Sequence, residues 1–125
     1  MPNPAPGFQR KPEHRVAFSP AGKHITATLG GVVVAESDSA LLCEESNHEP
    51  VYYIPMTDCR VDQLIPTSKK TYCPYKGEAS YWTLSVGDAS ARDAAWSYDT
   101  PYDEALPIKG HVAFYTGKLD GFEVT

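Results

Sequence analysis

Short runs in which apolar and polar residues alternate follow one another along most of the chain. This alternation predicts β-strands, because successive side chains of a strand point to opposite faces of its sheet. Turn-forming residues separate the runs at intervals of about ten residues, and Gly30-Gly31 between two apolar runs predicts a hairpin. The predicted strands are 14–18, 25–29, 32–36, 40–45, 51–54, 61–65, 71–73, 79–86, 94–98, 110–115 and 121–124.

Helical periodicity is weak throughout the chain. No window keeps a helical period for more than about two turns. Residues 57–60 are predicted to form one helical turn with Thr57 as its N-cap, and 101–106 a short helix. Many short strands bounded by turns are typical of an all-β barrel or a folded-sheet sandwich. Pro66 is expected to end the strand before it, and residues 68–70 to form a solvated tip.

The chain length of 125 residues predicts one domain. Residues 1–13 carry four prolines and few apolar groups, which predicts a flexible or surface-hugging arm. Residues 14–125 then form the single β-rich domain. We find no internal repeat.

The overall charge of the protein argues against two classes of binding partner. The net charge is -5 and the isoelectric point is near 5.2. Binding to nucleic acid or to an anionic membrane needs a basic surface, so we expect neither. No apolar run reaches a length of about 18 residues, which a membrane-spanning helix requires. The N-terminus has no apolar signal region. We therefore expect a cytoplasmic protein with a small-molecule partner; the oligomeric state stays open, with a homodimer as one alternative.

The three cysteines are Cys43, Cys59 and Cys73. Their number is odd, their spacing is wide and no Cys-x-x-Cys pair is present, so a tetrahedral zinc site has little support. We expect free thiols in a reducing compartment and no metal site.

The stretch 71–82 gathers a thiol, an amine and several aromatic rings. Cys73-Pro-Tyr resembles the start of a glutaredoxin site, but Lys76 stands where that chemistry needs a second cysteine. The favoured alternative is that Cys73 is a partly buried residue in a turn. Lys76 and Gly77 could offer a cation and exposed backbone N–H groups to an anion, although no phosphate-binding P-loop is present. An unpaired ammonium is costly to bury, so Lys76 is expected to face water or a ligand, and its replacement by Met to change stability by no more than about 1 kcal/mol.

Aromatic residues concentrate around this stretch. Alternation places Tyr81 and Trp82 on opposite faces of one strand, and Trp96 and Tyr98 on one face of the next. If these strands pair, an aromatic column could line a cleft. Core packing is the alternative for the aromatic set as a whole, which is Tyr52, Tyr53, Tyr72, Tyr75, Tyr81, Trp82, Trp96 and Tyr98.

Acid, base and recognition groups lie near the Tyr52-Tyr53 strand. Glu45 and His48 precede it, and Arg60 follows between two aspartates. For Arg60, a surface ion pair with Asp58 or Asp62 is favoured over a catalytic role. Nucleotidyl transfer would need two carboxylates that hold Mg²⁺ beside a triphosphate. By residue type alone, the candidates are Asp58 with Asp62 and Asp99 with Asp103.

Several blocks of the chain resemble a known family. They are 31–37 (GVVVAES), 44–55 (EESNHEPVYYIP), 73–82 (CPYKGEASYW), 95–98 (AWSY) and 112–115 (VAFY). Together they identify the chain, from about residue 14 onward, as a member of the family called domain of unknown function 427. The resemblance implies a tent-like β fold similar to methionine sulfoxide reductase B and to the drug-binding domain of cereblon. Many tent-like relatives carry a Cys-x-x-Cys zinc site that this chain lacks. The family is also labelled a nucleotidyltransferase, and no motif in these residues supports that label.

These observations predict a mainly β domain, either β-tent-like or a folded-sheet barrel, that binds a small ligand in an aromatic cleft. The ligand could be anionic, with Lys76 as its anchor. The alternative is an enzyme that uses the same cleft for nucleotidyl transfer, with Mg²⁺ and a nucleoside triphosphate, or for thiol chemistry. The predicted site residues are Glu45, His48, Tyr53, Arg60, Cys73, Tyr75, Lys76, Gly77, Tyr81, Trp82, Trp96 and Tyr98.

Overall fold

Ten β-strands form the framework of the protein in this computed structural model, which describes residues 2–125. The strands are β1 (Val16–Pro20), β2 (Ile25–Leu29), β3 (Val32–Ser37), β4 (Leu41–Glu45), β5 (Val51–Pro55), β6 (Leu64–Cys73), β7 (Gly77–Val86), β8 (Ala89–Ser97), β9 (His111–Phe114) and β10 (Gly121–Val124). The predicted strands 61–65 and 71–73 correspond to one longer strand, β6, and the other predicted strands recur with shifts at their ends. The prediction of a mainly β domain is confirmed.

The strands form two antiparallel sheets. One has seven strands in the order β1-β4-β5-β9-β8-β7-β6, and the other has three in the order β10-β2-β3. Strands β1 and β6 are the outer strands of the larger sheet, so the sheet does not close into a barrel. The barrel among the predicted alternatives is therefore not formed, and the protein has two antiparallel sheets of seven and three strands.

Helical structure is confined to short segments. Helix α1 (Gly7–Arg10) has four residues, and the longest 3-10 segment, Asp103–Ile108, has six. The other 3-10 turns are Met56–Asp58, Val61–Gln63 and Thr116–Lys118. Over residues 2–125, no helix has both the length and the apolar character that crossing a membrane requires.

Strand β6 differs most from the prediction. It runs through Pro66 and through residues 68–70, where the sequence predicts a strand end and a solvated tip. Proline is tolerated here because β6 is an outer strand, in which a missing N–H removes no bond from a central ladder. The pairing with β7 is irregular between Pro66 and Lys70 and resumes after it. The 3-10 turn Val61–Gln63 replaces the first part of the predicted strand 61–65.

The two faces of the seven-stranded sheet bury two different cores. The core between the sheets includes Ile25, Val34, Ile54 and Leu84. The core on the other side includes Cys43, Tyr53, Tyr81, Tyr98, Ile108 and Ala113. Neighbours such as Tyr53 and Ile54 enter different cores because successive strand residues point to opposite faces.

The chain before β1 lies against the domain. Ala5 is 1% exposed, and the Gly7 N–H donates to the Pro74 carbonyl at 2.9 Å. The Asn3 N–H donates to Asp103 Oδ2 at 2.7 Å. These contacts agree with a surface-hugging arm, and its flexibility in solution stays a prediction.

Candidate functional site

A cavity opens where β5 and β9 separate. These strands pair at only two positions, one of which places Ile54 opposite Val112. Beyond this point β5 remains paired with β4, and β9 with β8. Tyr53, the next residue on β5, and Phe114, two positions after Val112 on β9, both line the cavity, whose volume is about 660 Å³. The gap in the sheet is therefore what creates the site.

Aromatic side chains dominate the cavity wall. The Tyr53 and Trp96 rings are nearly perpendicular, at 85°, with centroids 6.4 Å apart. Tyr115 lies 4.5 Å from Trp96 at 42°, and Tyr81 lies opposite Trp96 in the β7–β8 register. The aromatic lining residues are Tyr52, Tyr53, Tyr72, Tyr75, Tyr81, Trp96, Tyr98, Phe114, Tyr115 and Phe122. Such a wall offers ring faces and edges to a ligand, together with phenol hydroxyls that donate or accept hydrogen bonds.

Contacts around the cavity hold two of these tyrosines in place. The Tyr81 hydroxyl lies 2.9 Å from Thr71 Oγ1, and the ammonium of Lys69 lies 4.6 Å from the centroid of the Tyr81 ring. The ammonium of Lys118 lies 5.3 Å from the centroid of the Tyr115 ring. Cation–π contacts of this kind favour a fixed ring position.

A buried ion pair forms one part of the cavity wall. Lys76 Nζ donates to Glu45 Oε1, and the side chains of the two residues are only 8% and 9% exposed. The other carboxylate oxygen of Glu45 lies 2.9 Å from His14 Nε2 and 3.7 Å from His48 Nε2. The expectation that Lys76 faces water is therefore wrong, and the alternative expectation, that Lys76 faces a ligand, stays a prediction. Its ammonium is buried because Glu45 supplies the partner that makes burial tolerable.

This network also sets the charge of Glu45. Burial alone would raise the pKa of its carboxyl. The hydrogen bonds with Lys76 and His14 have the opposite and larger effect, so the pKa is lowered overall. Glu45 is therefore a carboxylate at neutral pH, and the pair with Lys76 has no net charge.

Four other groups of the cavity wall have raised pKa values and stay protonated at neutral pH. Burial raises the pKa of the Cys43 thiol to about 11 and also raises the pKa values of Tyr53 and Tyr98. Burial, followed by a hydrogen bond with Tyr81, raises the pKa of Tyr115 to about 12. At these four positions the cavity presents a neutral thiol and neutral phenols, because burial disfavours their charged forms.

A family model, described as domain of unknown function DUF427, matches residues 17–125. The chain belongs to the DUF427 family. The resemblance found in the sequence is thereby confirmed. No curated protein matches the chain.

The blocks that resemble the DUF427 family supply much of the cavity wall. Nine of the twelve predicted site residues line it: Glu45, His48, Tyr53, Cys73, Tyr75, Lys76, Tyr81, Trp96 and Tyr98. That any of them binds a ligand stays a prediction.

The other three predicted residues lie elsewhere. Arg60 is exposed, and its backbone N–H donates to the Val34 carbonyl. Trp82 packs against the core between the sheets and donates from Nε1 to Ser97 Oγ at 3.0 Å. Gly77 begins β7 with φ +124 and lies beside Thr100 and Pro101. Gly77 shapes the backbone next to Lys76 but does not line the cavity.

Several lining residues are absent from the set predicted from the sequence. Cys43 is two positions before Glu45 on β4, so strand alternation could have placed it on the same face. Phe114 and Tyr115 belong to the 112–115 block and could have been found there. Phe122 and the supporting His14 carry no local signal, because only the fold brings them to the site.

The cysteines of the protein are not arranged as metal ligands within the described residues 2–125. Cys43, Cys59 and Cys73 are all free thiols. Cys59 does not line the cavity, and burial raises its pKa to about 12. Within the part of the chain that the structure describes, no three His, Cys, Asp or Glu residues are grouped so that they could hold a metal ion.

Proposed function

We propose that this DUF427 protein binds a small, planar, uncharged molecule in the aromatic cavity. The cavity volume of about 660 Å³ supports this proposal, since ligand pockets typically measure about 300–1,000 Å³. The wall offers stacking surfaces in Tyr53, Trp96 and Tyr115 and neutral hydroxyl groups for orientation. The partner in this proposal is a small molecule.

The expected charge of the ligand follows from the ion pair. An anionic ligand held by Lys76 would have to share the ammonium with Glu45 or displace it. Separating the pair would leave the mostly buried carboxylate of Glu45 without its hydrogen bond from Lys76. The loss of a partner is costly in free energy for a buried charge. An uncharged ligand leaves the pair intact. Lys76 therefore fits the role of a wall residue better than the role of an anion anchor.

The enzyme alternative has less support. Neither candidate aspartate pair lines the cavity. Asp58 instead accepts a hydrogen bond from the Ser37 hydroxyl at 2.6 Å, and Asp103 accepts one from the Asn3 N–H. Two cysteines line the cavity, and the raised pKa of one of them, Cys43, keeps it in the less reactive thiol form. We therefore favour binding over catalysis.

A paired ligand panel tests the proposal. Uncharged aromatic heterocycles are compared with their carboxylated analogues by thermal shift, and binding is then measured by calorimetry. We expect the uncharged members to raise the melting temperature and the carboxylated analogues to have a smaller effect. A panel in which only the anions bind would contradict the proposed ligand class and favour Lys76 as an anchor.

Two tryptophan variants locate the binding. Trp96→Phe removes an indole from the cavity wall, and we expect it to weaken binding by about three- to tenfold. Trp82→Phe makes the same chemical change on the opposite face of the sheet and should leave the affinity unchanged. Equal effects of the two substitutions would show that the ligand does not occupy this cavity.

A further inference from the structure

The residues before the family-matched region make a set of contacts around the Cys73–Lys76 turn. We refer to residues 3–14 as the clasp. The DUF427 match begins at residue 17, so the clasp lies outside it. The turn itself contributes Cys73, Tyr75 and Lys76 to the cavity wall.

The first part of the clasp is tied to the 3-10 segment Asp103–Ile108. Ala5 N–H donates to Glu104 Oε1 at 2.8 Å, and the Asp103 N–H donates back to the Asn3 carbonyl at 2.9 Å. With the contact between Asn3 and Asp103, three hydrogen bonds fix this part. It is anchored on a part of the domain distant in sequence from the turn.

The middle of the clasp fits closely against the turn. Gly7 N–H donates to the Pro74 carbonyl at 2.9 Å, and the Phe8 ring meets the Tyr75 ring edge-on at 5.0 Å. A Cβ atom at Gly7 would come within 2.7 Å of the Tyr75 ring and 2.9 Å of the Pro74 carbonyl. The contact therefore has no room for a larger residue.

The end of the clasp joins the turn to the ion pair. The His14 ring stacks on Tyr75 at 4.0 Å and 19°, and its Nε2 lies 2.9 Å from Glu45 Oε2. Glu45 in turn accepts from Lys76. One histidine thus contacts both the aromatic residue of the turn and the carboxylate that partners its lysine.

We propose that the clasp holds the Cys73–Lys76 turn in its position and thereby completes one wall of the cavity. Phe8 and His14 both contact Tyr75, and the hydrogen bond from Gly7 fixes the backbone beside it. Releasing the clasp lets the turn move away from the domain and exposes Cys73. In this protein the family domain alone is an incomplete site.

The reactivity of Cys73 measures the position of the turn without any ligand. In the full-length protein, the variant Phe8→Ala/His14→Ala removes both rings that contact Tyr75. We expect alkylation of Cys73 by iodoacetamide to become about fivefold faster or more, the factor that corresponds to about 1 kcal/mol in an opening equilibrium. Cys59 does not line the cavity and serves as the internal reference, quantified in the same digest.

A matched variant controls for changes within the clasp. Gln9 and Arg10 are exposed, so Gln9→Ala/Arg10→Ala should leave the alkylation rate of Cys73 unchanged. Hydrogen exchange of the backbone amides of residues 73 and 75–77 should increase in the first variant and not in the control. If the double variant fails to fold, Gly7→Ala supplies a second test, because its added methyl pushes the clasp from Tyr75 while both rings remain.

Two results would overturn the proposal. One is an unchanged alkylation rate of Cys73 in a folded clasp variant. The other is an equal rise at Cys59, which would mean that the clasp only stabilises the whole domain. Because no ligand enters this experiment, the proposed binding function can fail while the clasp proposal holds, and the reverse is also true.

Discussion

At the scale of single residues, Lys76 shows where reasoning from sequence fails. The desolvation argument is sound for an unpaired ammonium, but Lys76 has a partner that lies 31 positions earlier in the chain. Nothing in the local sequence around Lys76 indicates Glu45. The pairing depends on how β4 and the turn after β6 meet, which only the tertiary structure determines.

The ion pair makes Lys76→Met a sensitive test of this structure. Removing the ammonium leaves the Glu45 carboxylate mostly buried with fewer donors. We therefore expect the free energy of unfolding to fall by about 2 kcal/mol, measured by chemical denaturation. The matched substitution Lys70→Met affects an exposed lysine that contacts Ser80, and it should change stability by no more than about 0.5 kcal/mol.

The double variant Glu45→Gln/Lys76→Met isolates the interaction. It should be less destabilised than the sum of the two single variants, because neither charge is left without its partner. Simple additivity of the two single effects would show that the residues do not interact in solution.

Glu45 should also make stability depend on pH. Its pKa is lowered below the ordinary value of 4.5 in the folded protein, so the unfolded chain binds more protons in the acid range. The stabilisation is therefore complete above about pH 4.5 and is lost as the pH falls through the folded pKa. We expect the difference in unfolding free energy between wild type and Glu45→Gln to shrink from pH 6 to pH 3. A difference that stays constant over this range would contradict the assignment.

At the scale of elements, alternation within a strand was a good guide. It correctly placed Tyr81 and Trp82 on opposite faces, and β7 and β8 do pair with Tyr81 opposite Trp96. The errors in the prediction concern where the strands end and how they are connected. Pro66 does not end β6, because the length of a strand depends on its neighbour β7 as well as on its own residues.

Gly77 connects the turn to β7 and allows a direct test at this scale. Its φ of +124 is unfavourable for any residue with a side chain. Gly77→Ala should therefore lower the free energy of unfolding by about 1–3 kcal/mol. Gly117→Ala is the control, because Gly117 has open space around it and no positive φ. Equal denaturation midpoints for both variants would show that the backbone at residue 77 is not as described.

At the scale of the whole molecule, the cavity could not have been located from local patterns. It exists because β5 and β9 pair at their ends and then separate, and these strands are more than 50 residues apart in the chain. The sequence identified most of the wall through the blocks of the family resemblance. It could not show that residues such as Phe122 from the three-stranded sheet would complete that wall.

The two tryptophans report on the two cores that share the seven-stranded sheet. Trp82 packs against the core between the sheets, and Trp96 packs against the core on the cavity side. Because both cores use the same strands, loss of one should remove the support of the other, and unfolding should be cooperative.

Variants with a single tryptophan test this cooperativity. Trp96→Phe leaves Trp82 as the only indole, and Trp82→Phe leaves Trp96. Within each variant, we expect the fluorescence transition in urea to coincide with the far-ultraviolet dichroism transition, since both follow the same event. Comparing two signals from one variant avoids any effect of the substitution on overall stability. If Trp96 fluorescence changed at lower urea than the dichroism of the same variant, the cavity side would unfold on its own. The seven-stranded sheet would then not join the two cores into one cooperative unit.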